Sequence, residues 1–482
     1  MTLSREIPSQ VRYLAFTEGL GYIQSSKKSG SYSYCTEFLS NFTDSHFQRA
    51  VSRGRSSREQ NMIIRRKILG VFFLLFFIYS VVSAQGPEYY KKRRDSLLAK
   101  LENAAALVPA AWEKDLETFR QSNNFYYLTG VEQPSLLLLL SPAARSPETL
   151  FLPARNLAEG NLSEAWTGAK LGPGAETEKK TGVARAVDRS AFEATFAYLA
   201  GKIDRLYFDY DPSLLEGPVS AGEVMLKKFR DRYPHLEILP LSRITDSLRT
   251  IKDSVEIATL QKAVDITCRS LEETIRALEP GMYEYEVEAM IEYGFHRRGS
   301  QRPGFSSIVG SGPNSAILHY NSNRRKIEPG ELVLMDVGAE LDYYTADITR
   351  TVPANGKFSD RQREIYQLVL KAQAAAIEAV RPGVAWKEVL QAARKVIQEA
   401  GYGEYFIHSI GHYLGMDVHD VGSSQPLEPG MVITVEPGIY LTKESLGVRI
   451  EDDVLVTQGG CRVLSASLPK SVEEIEALMR SD

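Results

Sequence analysis

Residues 327–350, IEPGELVLMDVGAELDYYTADITR, read as a β-hairpin. Glu328-Pro329-Gly330 marks a turn and Leu332–Val337 is a β-rich run. Gly338–Tyr343 can reverse the chain, and Ala346–Thr351 returns with β-branched residues. A reversal centred between Leu341 and Asp342 predicts Asp336 directly opposite Asp347, with Cβ atoms about 5 Å apart on one face. Two facing carboxylates repel each other, so a shared proton, a nearby cation or a bound metal has to neutralise them.

The pattern occurs twice. IEPGELVLMDVG (327–338) aligns with LEPGMVITVEPG (427–438), which sets Asp336 on Glu436, Gly338 on Gly438 and, upstream, His319 on His419. Pro280-Gly281 with Glu286-Val287 likewise matches Pro382-Gly383 with Glu388-Val389. The second copy also folds back, from Val432–Ile439 through a turn near Glu444 to Val448–Val456, which predicts Glu436 opposite Glu451. A tandem match of this length marks a duplication. Each half is expected to offer a cross-strand carboxylate pair and a histidine. Strand alternation turns the acids inward: Asp336 shares a face with Leu332 and Leu334, and Glu436 with Val432 and Thr434.

Four of the seven histidines, His319, His408, His412 and His419, lie in the duplicated region. Each alone would be read as a packed or surface side chain. Beside four inward carboxylates they point to a metal site. Carboxylates with one imidazole suit manganese, cobalt or zinc. Two such ions sharing bridging carboxylates would bring the pKa of a water toward about 7, so the implied reaction class is metal-assisted hydrolysis. A di-iron redox site is the first rival, but its ligands ride on bundle helices. A non-catalytic binding domain with surface acids is the second, and the inward alternation opposes it.

The remainder of the chain frames this core. Residues 1–84 carry 11 Lys/Arg against 5 Asp/Glu, and the rest 46 against 56. An acidic body without a basic stripe argues against nucleic acid as a partner. Three cysteines, Cys35, Cys268 and Cys461, make neither a disulfide framework nor a metal motif. Residues 1–61 are polar and Ser-rich, expected to be unstructured or not translated. Residues 62–84 have the layout of a signal peptide: Arg65-Arg66-Lys67, an apolar run Ile68–Val82, then small residues before Gln85. Export to a periplasmic or extracellular location is expected, with an uncleaved N-terminal membrane anchor as the alternative.

Residues 87–248 read as an α/β domain. Its expected strands are Ala104–Val108, Leu136–Leu140, Leu206–Asp209 and Glu237–Leu239, and Asn156–Thr181 is expected to be a long loop. A second domain, 249–482, opens with Ser254 as N-cap of a helix over Val255–Leu278, followed by a helix over Tyr283–Arg297. Strand-like Gly304–Val309 and Ala316–His319 lead into the first hairpin. Ser359 and Gln362 form a capping box for Arg361–Val380, Trp386–Ala400 follows, and 471–480 is a short terminal helix. The fold class is α+β: duplicated helix-helix-hairpin halves around a curved antiparallel sheet, preceded by a smaller α/β domain.

ILHY (317–320), MDVGAELDYYTADITRT (335–351), HSIGHYLGMDVHDVG (408–422), LEPGMVITVEPGIY (427–440) and VRIEDD (448–453) together closely resemble the Xaa-Pro aminopeptidases. These belong to the pita-bread metallopeptidases (M24), with prolidase, methionine aminopeptidase and creatinase. RQSNNFYYLTG (120–130) is similar to that family's N-terminal domain. The resemblance implies two divalent metals, manganese first and cobalt or zinc as alternatives, held by Asp336, Asp347, His412, Glu436 and Glu451. It implies that Asp347 and Glu451 bridge and that Glu436 also exchanges a proton with the attacking water. His319 and His419 would contact substrate and stabilise the tetrahedral intermediate, His408 would shape the proline pocket, and Arg449 and Tyr440 would orient these groups. Peptides with proline in second position are the implied substrates, and a homo-oligomer, dimer or tetramer, the implied assembly. Prolidase activity on Xaa-Pro dipeptides is the runner-up.

Overall fold

The computed structural model describes residues 86–112, 118–154, 168, 170–210, 217, 219–422 and 425–480. The readings for 1–61 and 62–84 lie outside the described residues. Residues 85–482 pack as one compact unit. No helix among the described residues is long and apolar enough to cross a membrane.

The N-terminal part is a six-stranded mixed sheet in the order β4-β3-β2-β1-β5-β6. Its strands are β1 (Ala104–Pro109), β2 (Leu137–Leu140), β3 (Glu148–Leu152), β4 (Ala186–Asp188), β5 (Arg205–Phe208) and β6 (Glu237–Pro240). Burial on both faces explains the unbroken leucine run, because successive side chains of a strand point opposite ways. Leu138 and Leu140 join the core shared with the C-terminal domain, whereas Leu137 and Leu139 join a second core with Phe151, Phe196 and Phe229. The region expected to loop to Thr181 contains a helix, Ala175–Thr181, bounded by Gly174 and Gly182. At seven residues it is too short to show a helical period in sequence. The helix Ser242–Thr250 runs through the 248/249 boundary.

The C-terminal domain opens with the Ser254–Ala277 helix, whose N-cap is Asp253 rather than Ser254. The Asp253 carboxylate accepts from Val255 and Glu256 N–H groups, and Glu256 reaches back to the Asp253 N–H, a reciprocal cap that a serine one position on cannot make. The Glu284–Arg297 helix follows. Then come β7 (Arg302–Pro303), β8 (Ile308–Ser311), β9 (Leu332–Val337), β10 (Ala339–Leu341), β11 (Tyr344–Thr345) and β12 (Ile348–Pro353). Ala316–His319 is not a strand: a 3-10 turn occupies Gly312–Ala316 and a further turn carries His319. The second half repeats the plan with helices Asp360–Ala379 and Trp386–Glu399, then β13 (Val432–Val435), β14 (Gly438–Leu441), β15 (Leu446–Arg449), β16 (Asp452–Thr457) and β17 (Gly460–Val463). The capping box of Ser359 and Gln362 is present. A last helix, Val472–Leu478, closes the domain.

The two hairpins differ in register from each other. In the second, Val435 pairs with Asp452 and Gly438 with Arg449, so the same register sets Glu436 opposite Glu451, as expected. In the first, Asp336 pairs with Thr349, not Asp347. The reversal is a two-residue turn, Asp342-Tyr343, with φ of 47° and 71°, between the paired Leu341 and Tyr344. Left-handed φ at both positions matches the twist of a tight hairpin and moves its centre one residue on. Asp347 therefore lies diagonal to Asp336 but still on the same face. Gly338 interrupts the ladder: a Cβ there would sit 1.7 Å from the Ala346 carbonyl oxygen. Only glycine fits that approach, and the break lets Asp336 and Asp347 converge.

Candidate active site

The inward faces of both hairpins meet in one cluster. Asp347 Oδ2 lies 3.3 Å from His412 Nε2, and Glu436 Oε1 lies 3.6 Å from the same nitrogen. One ligand atom each of Asp347, His412 and Glu451 falls within 4.8 Å of the others. His412 Nδ1 is 3.1 Å from the Tyr413 carbonyl, which can only accept, so the proton sits on Nδ1 and Nε2 turns a lone pair to the carboxylates. Thr434 supports this arrangement. Its hydroxyl oxygen accepts the His412 N–H at 3.1 Å and its hydroxyl reaches Glu436 Oε1 at 3.5 Å.

Asp336 is held from behind. Arg449 donates from Nη2 to Asp336 Oδ2 at 2.5 Å, from Nε to the Thr349 hydroxyl oxygen at 3.1 Å, and from Nη1 to the Tyr440 hydroxyl at 2.8 Å. Thr349 passes its own proton to Glu451 Oε2 at 2.6 Å. The Tyr440 hydroxyl, having accepted from Arg449, donates to His408 Nε2 at 2.9 Å, because His408 Nδ1 is committed to the Ser409 carbonyl. His319 is exposed on its turn, close enough to help lower the His408 pKa. His419 is exposed at the mouth, its ring 4.2 Å from that of His412.

The electrostatics are those of an anionic cluster short of cations. Burial, then Glu451 and Asp336, hold the Asp347 carboxyl well above the ordinary range. Burial with Glu436 and Asp336 does the same to Glu451, and burial with Asp336 brings Glu436 up to about 8 despite Arg449. Desolvation lowers both His412 and His408 to about 4, and burial raises Tyr440 to about 12. Burial opposes the charge of Arg449, but Tyr440, Asp336, Glu436 and Glu451 outweigh it. Asp336 Oδ1 and Asp347 Oδ1 are buried with no hydrogen-bond partner among the described residues. Clustered carboxylates with orphaned oxygens, next to a neutral imidazole nitrogen, are the donor set of hard to borderline divalent cations. The residues fit a metal.

All the residues singled out in the sequence for this site therefore surround one spot. Three others were not. Thr349 and Thr434 orient Glu451 and His412 from positions two residues from an acid, and Asp453 Oδ2 accepts the Asp347 N–H at 3.1 Å. Period-two alternation, which set Thr434 on the face of Glu436, extends from Asp347 and Glu451 to the other two.

A family model described as "Metallopeptidase family M24" matches residues 258–458, and one described as "Aminopeptidase P, N-terminal domain" matches 90–207. The Xaa-Pro aminopeptidase of Escherichia coli K12 is 35% identical over 438 residues, spanning 81% of this chain and 97% of that one. The chain belongs to the Xaa-Pro aminopeptidases of metallopeptidase family M24. The solved structure of E. coli aminopeptidase P with the inhibitor Pro-Leu has a TM-score of 0.74 and 32% identity, covering 82% of this chain and 99% of its own. The Xaa-Pro dipeptidase of Pyrococcus furiosus is 40% identical over 256 residues, but these are 52% of this chain and 72% of that protein. The aminopeptidase relatives thus extend over the N-terminal domain as well as the metal-ligand set.

Proposed function

We propose that the chain hydrolyses the bond between an N-terminal residue and a following proline with a pair of divalent metals, manganese first, held by Asp336, Asp347, His412, Glu436 and Glu451. The observation that carries this reading is the set of buried acids on one face, Asp336 and Asp347 each with an orphaned oxygen, and the lone-pair-bearing His412 Nε2 against Asp347. Bound there, such ions would neutralise the carboxylates and lower the pKa of a water.

The chain's own groups do the rest. Glu436, on the same inward face as the other acids and 3.6 Å from His412 Nε2, takes the proton of the attacking water and delivers it to the proline nitrogen. That delivery matters because proline nitrogen in the peptide carries no hydrogen and must leave as an amine. Water oxygen bonds to the carbonyl carbon, the C–N bond breaks, and a free N-terminal residue and a shortened peptide result. His419, exposed beside His412, donates a hydrogen bond to the carbonyl oxygen as charge develops, and His319, on its turn near His408, contacts the substrate with it. The Arg449–Tyr440–His408 relay fixes His408 neutral against the proline pocket.

The test is hydrolysis of Xaa-Pro-Yaa tripeptides against Xaa-Pro dipeptides with added manganese, in wild type and Asp347→Ala. Tripeptide cleavage lost in the variant supports the reading. Cleavage of dipeptides alone would move the assignment to the dipeptidase that the Pyrococcus similarity offers. We also propose that residues 62–84 direct export and are removed before Gln85. The basic, apolar and small-residue order supports this, as does the start of the family match at residue 90. N-terminal sequencing of the native protein that finds Ile68–Val82 retained would overturn it. We also propose a homo-oligomer, dimer or tetramer, as the family resemblance implies, which light scattering would test.

A further inference from the structure

The N-terminal domain contributes to the mouth of the active site through Arg120. A cleft of about 430 Å³ opens beside His419, lined by Arg120, Arg302, Glu340, Met416 and Asp417 among others. Its charges do not balance. Glu340 is buried between two guanidinium groups, with Arg120 Nη2 3.0 Å from Oε2 and Arg302 Nε 3.3 Å from Oε1. Asp417 is already paired: Arg249 lies 2.9 Å from it and 2.5 Å from Asp420, which Lys252 also faces at 3.3 Å. Arg249 also faces Asp246, so the cations left facing the cleft are Arg120 and Arg302, which share the single carboxylate of Glu340.

The unspent donors belong mainly to Arg302. Its Nε is buried without a hydrogen bond, and its two terminal nitrogens bond to none of the described residues. Arg120 gives Nε and Nη2 to Glu340 and Nη2 also to the Met416 carbonyl, which leaves Nη1 available. Arg120 is held in place by the Tyr343 ring, 4.8 Å below its guanidinium, and Tyr343 stacks on Tyr126 at 3.7 Å. Glu132, which acts on the Tyr343 hydroxyl, does not line the cleft. A preorganised fork with spare N–H groups is a carboxylate receptor.

The position fits the substrate. His419 lines the cleft on one side and lies 4.2 Å from the His412 ring on the other. In an Xaa-Pro-Yaa tripeptide the terminal carboxylate is two residues beyond the scissile bond, roughly 7 Å at full extension. We propose that this cleft receives a carboxylate on the leaving-group side of the peptide, that of the C-terminus of a tripeptide, with Arg302 as the principal contact and Arg120 as the second. The proposal rests on the aminopeptidase reading and adds a preference for short free-acid peptides.

The test is steady-state kinetics of the full-length, metal-loaded protein on Ala-Pro-Ala, its C-terminal amide, and Ala-Pro-Glu amide, with wild type, Arg302→Gln and Arg302→Lys. Wild type is expected to favour the free acid over the amide by about tenfold, expressed in KM rather than kcat, as for a partly exposed charge contact. Arg302→Gln should bring that ratio close to one, and Arg302→Lys should keep most of it. A Glu amide that matches the free acid keeps the site and assigns it to side-chain carboxylates as well. Equal KM for acid and amide in wild type overturns the proposal. So does an Arg302→Gln variant that slows all three peptides alike with the ratio intact, which is a structural effect. Cleavage of none of them sinks the aminopeptidase reading itself, an outcome distinct from equal cleavage.

Discussion

Between residues 451 and 452 the chain passes from one kind of buried acid to another. Asp452 accepts Arg350 Nη2 at 2.8 Å, Lys470 Nζ at 2.5 Å and the Ser465 hydroxyl at 2.7 Å, and these hold it down to about 2 although burial opposes them. Glu451 has the Thr349 hydroxyl as its hydrogen-bond donor, and burial with Glu436 and Asp336 drives it the other way. Successive side chains of an extended segment point to opposite faces. One face carries its own cations from the same chain. The other carries acids in excess of its one cation, Arg449, and has the donor set for ions from solution. Burial of a carboxylate is common to both, so what distinguishes the reacting face is the missing partner.

The comparison can be broken most forcefully at Asp347. Asp347→Asn should lower kcat/KM on an Xaa-Pro tripeptide by roughly 10³-fold, since several kcal/mol of charge stabilisation go with the metal. Metal content per chain should fall with it. The metal-free variant should unfold no earlier than metal-free wild type, because one of several repelling acids is gone. Activity within tenfold of wild type would mean that this face does not react.

Asp452→Asn probes the other face. It leaves the fully buried Arg350 without a carboxylate, a loss of about 3–5 kcal/mol in urea unfolding. A loss below about 1 kcal/mol would place Asp452 with the surface pairs, whose worth is in that range, and would remove the contrast.

The two faces should also respond oppositely to pH in metal-free protein. Glu436 is raised in the fold from 4.5 to about 8, so its contribution is present below pH 4.5 and lost as pH rises toward 8. Asp452 is lowered from 3.8 to about 2, so its contribution is present above pH 3.8 and lost as pH falls toward 2. Each slope is at most about 1.4 kcal/mol per pH unit for one group. Unfolding midpoints measured with chelator should therefore decline on both sides of mildly acidic pH. Added manganese should flatten the alkaline side alone; a decline unchanged by metal would detach it from Glu436.

Much of this could be read from the chain because it was written twice. The Gly338/Gly438 and Asp336/Glu436 correspondences located both hairpins, and the second register held, since its turn is centred where the β-branched runs balance. The first slipped because Tyr343 takes a left-handed φ, which aromatic residues rarely adopt and nothing in its neighbours announces. The acids still share a face, as the slip moves the partner by two. What could not be read were long-range contacts. Arg120 meets Glu340 across 220 residues and Asn124 accepts from Arg249 across 125, with no periodic pattern to link them. For that reason every site residue named from the sequence lies in 249–482.

The smallest of these effects tests where the reacting face ends. The Tyr440 hydroxyl accepts from Arg449 and donates to His408, and among the described residues it bonds to none of the five proposed metal ligands. Tyr440→Phe leaves one Arg449 N–H unspent in a buried site and His408 Nε2 without a donor, at about 1 kcal/mol of stability. Arg449 keeps its bond to Asp336, so metal content should stay near wild type. Activity should fall about tenfold, the usual cost of loosening a group that orients ligands. If metal were lost as in Asp347→Asn, the tyrosine would belong to the cluster rather than its support. If kcat were unchanged, Arg449 would hold Asp336 unaided, and the reacting face would end at the guanidinium.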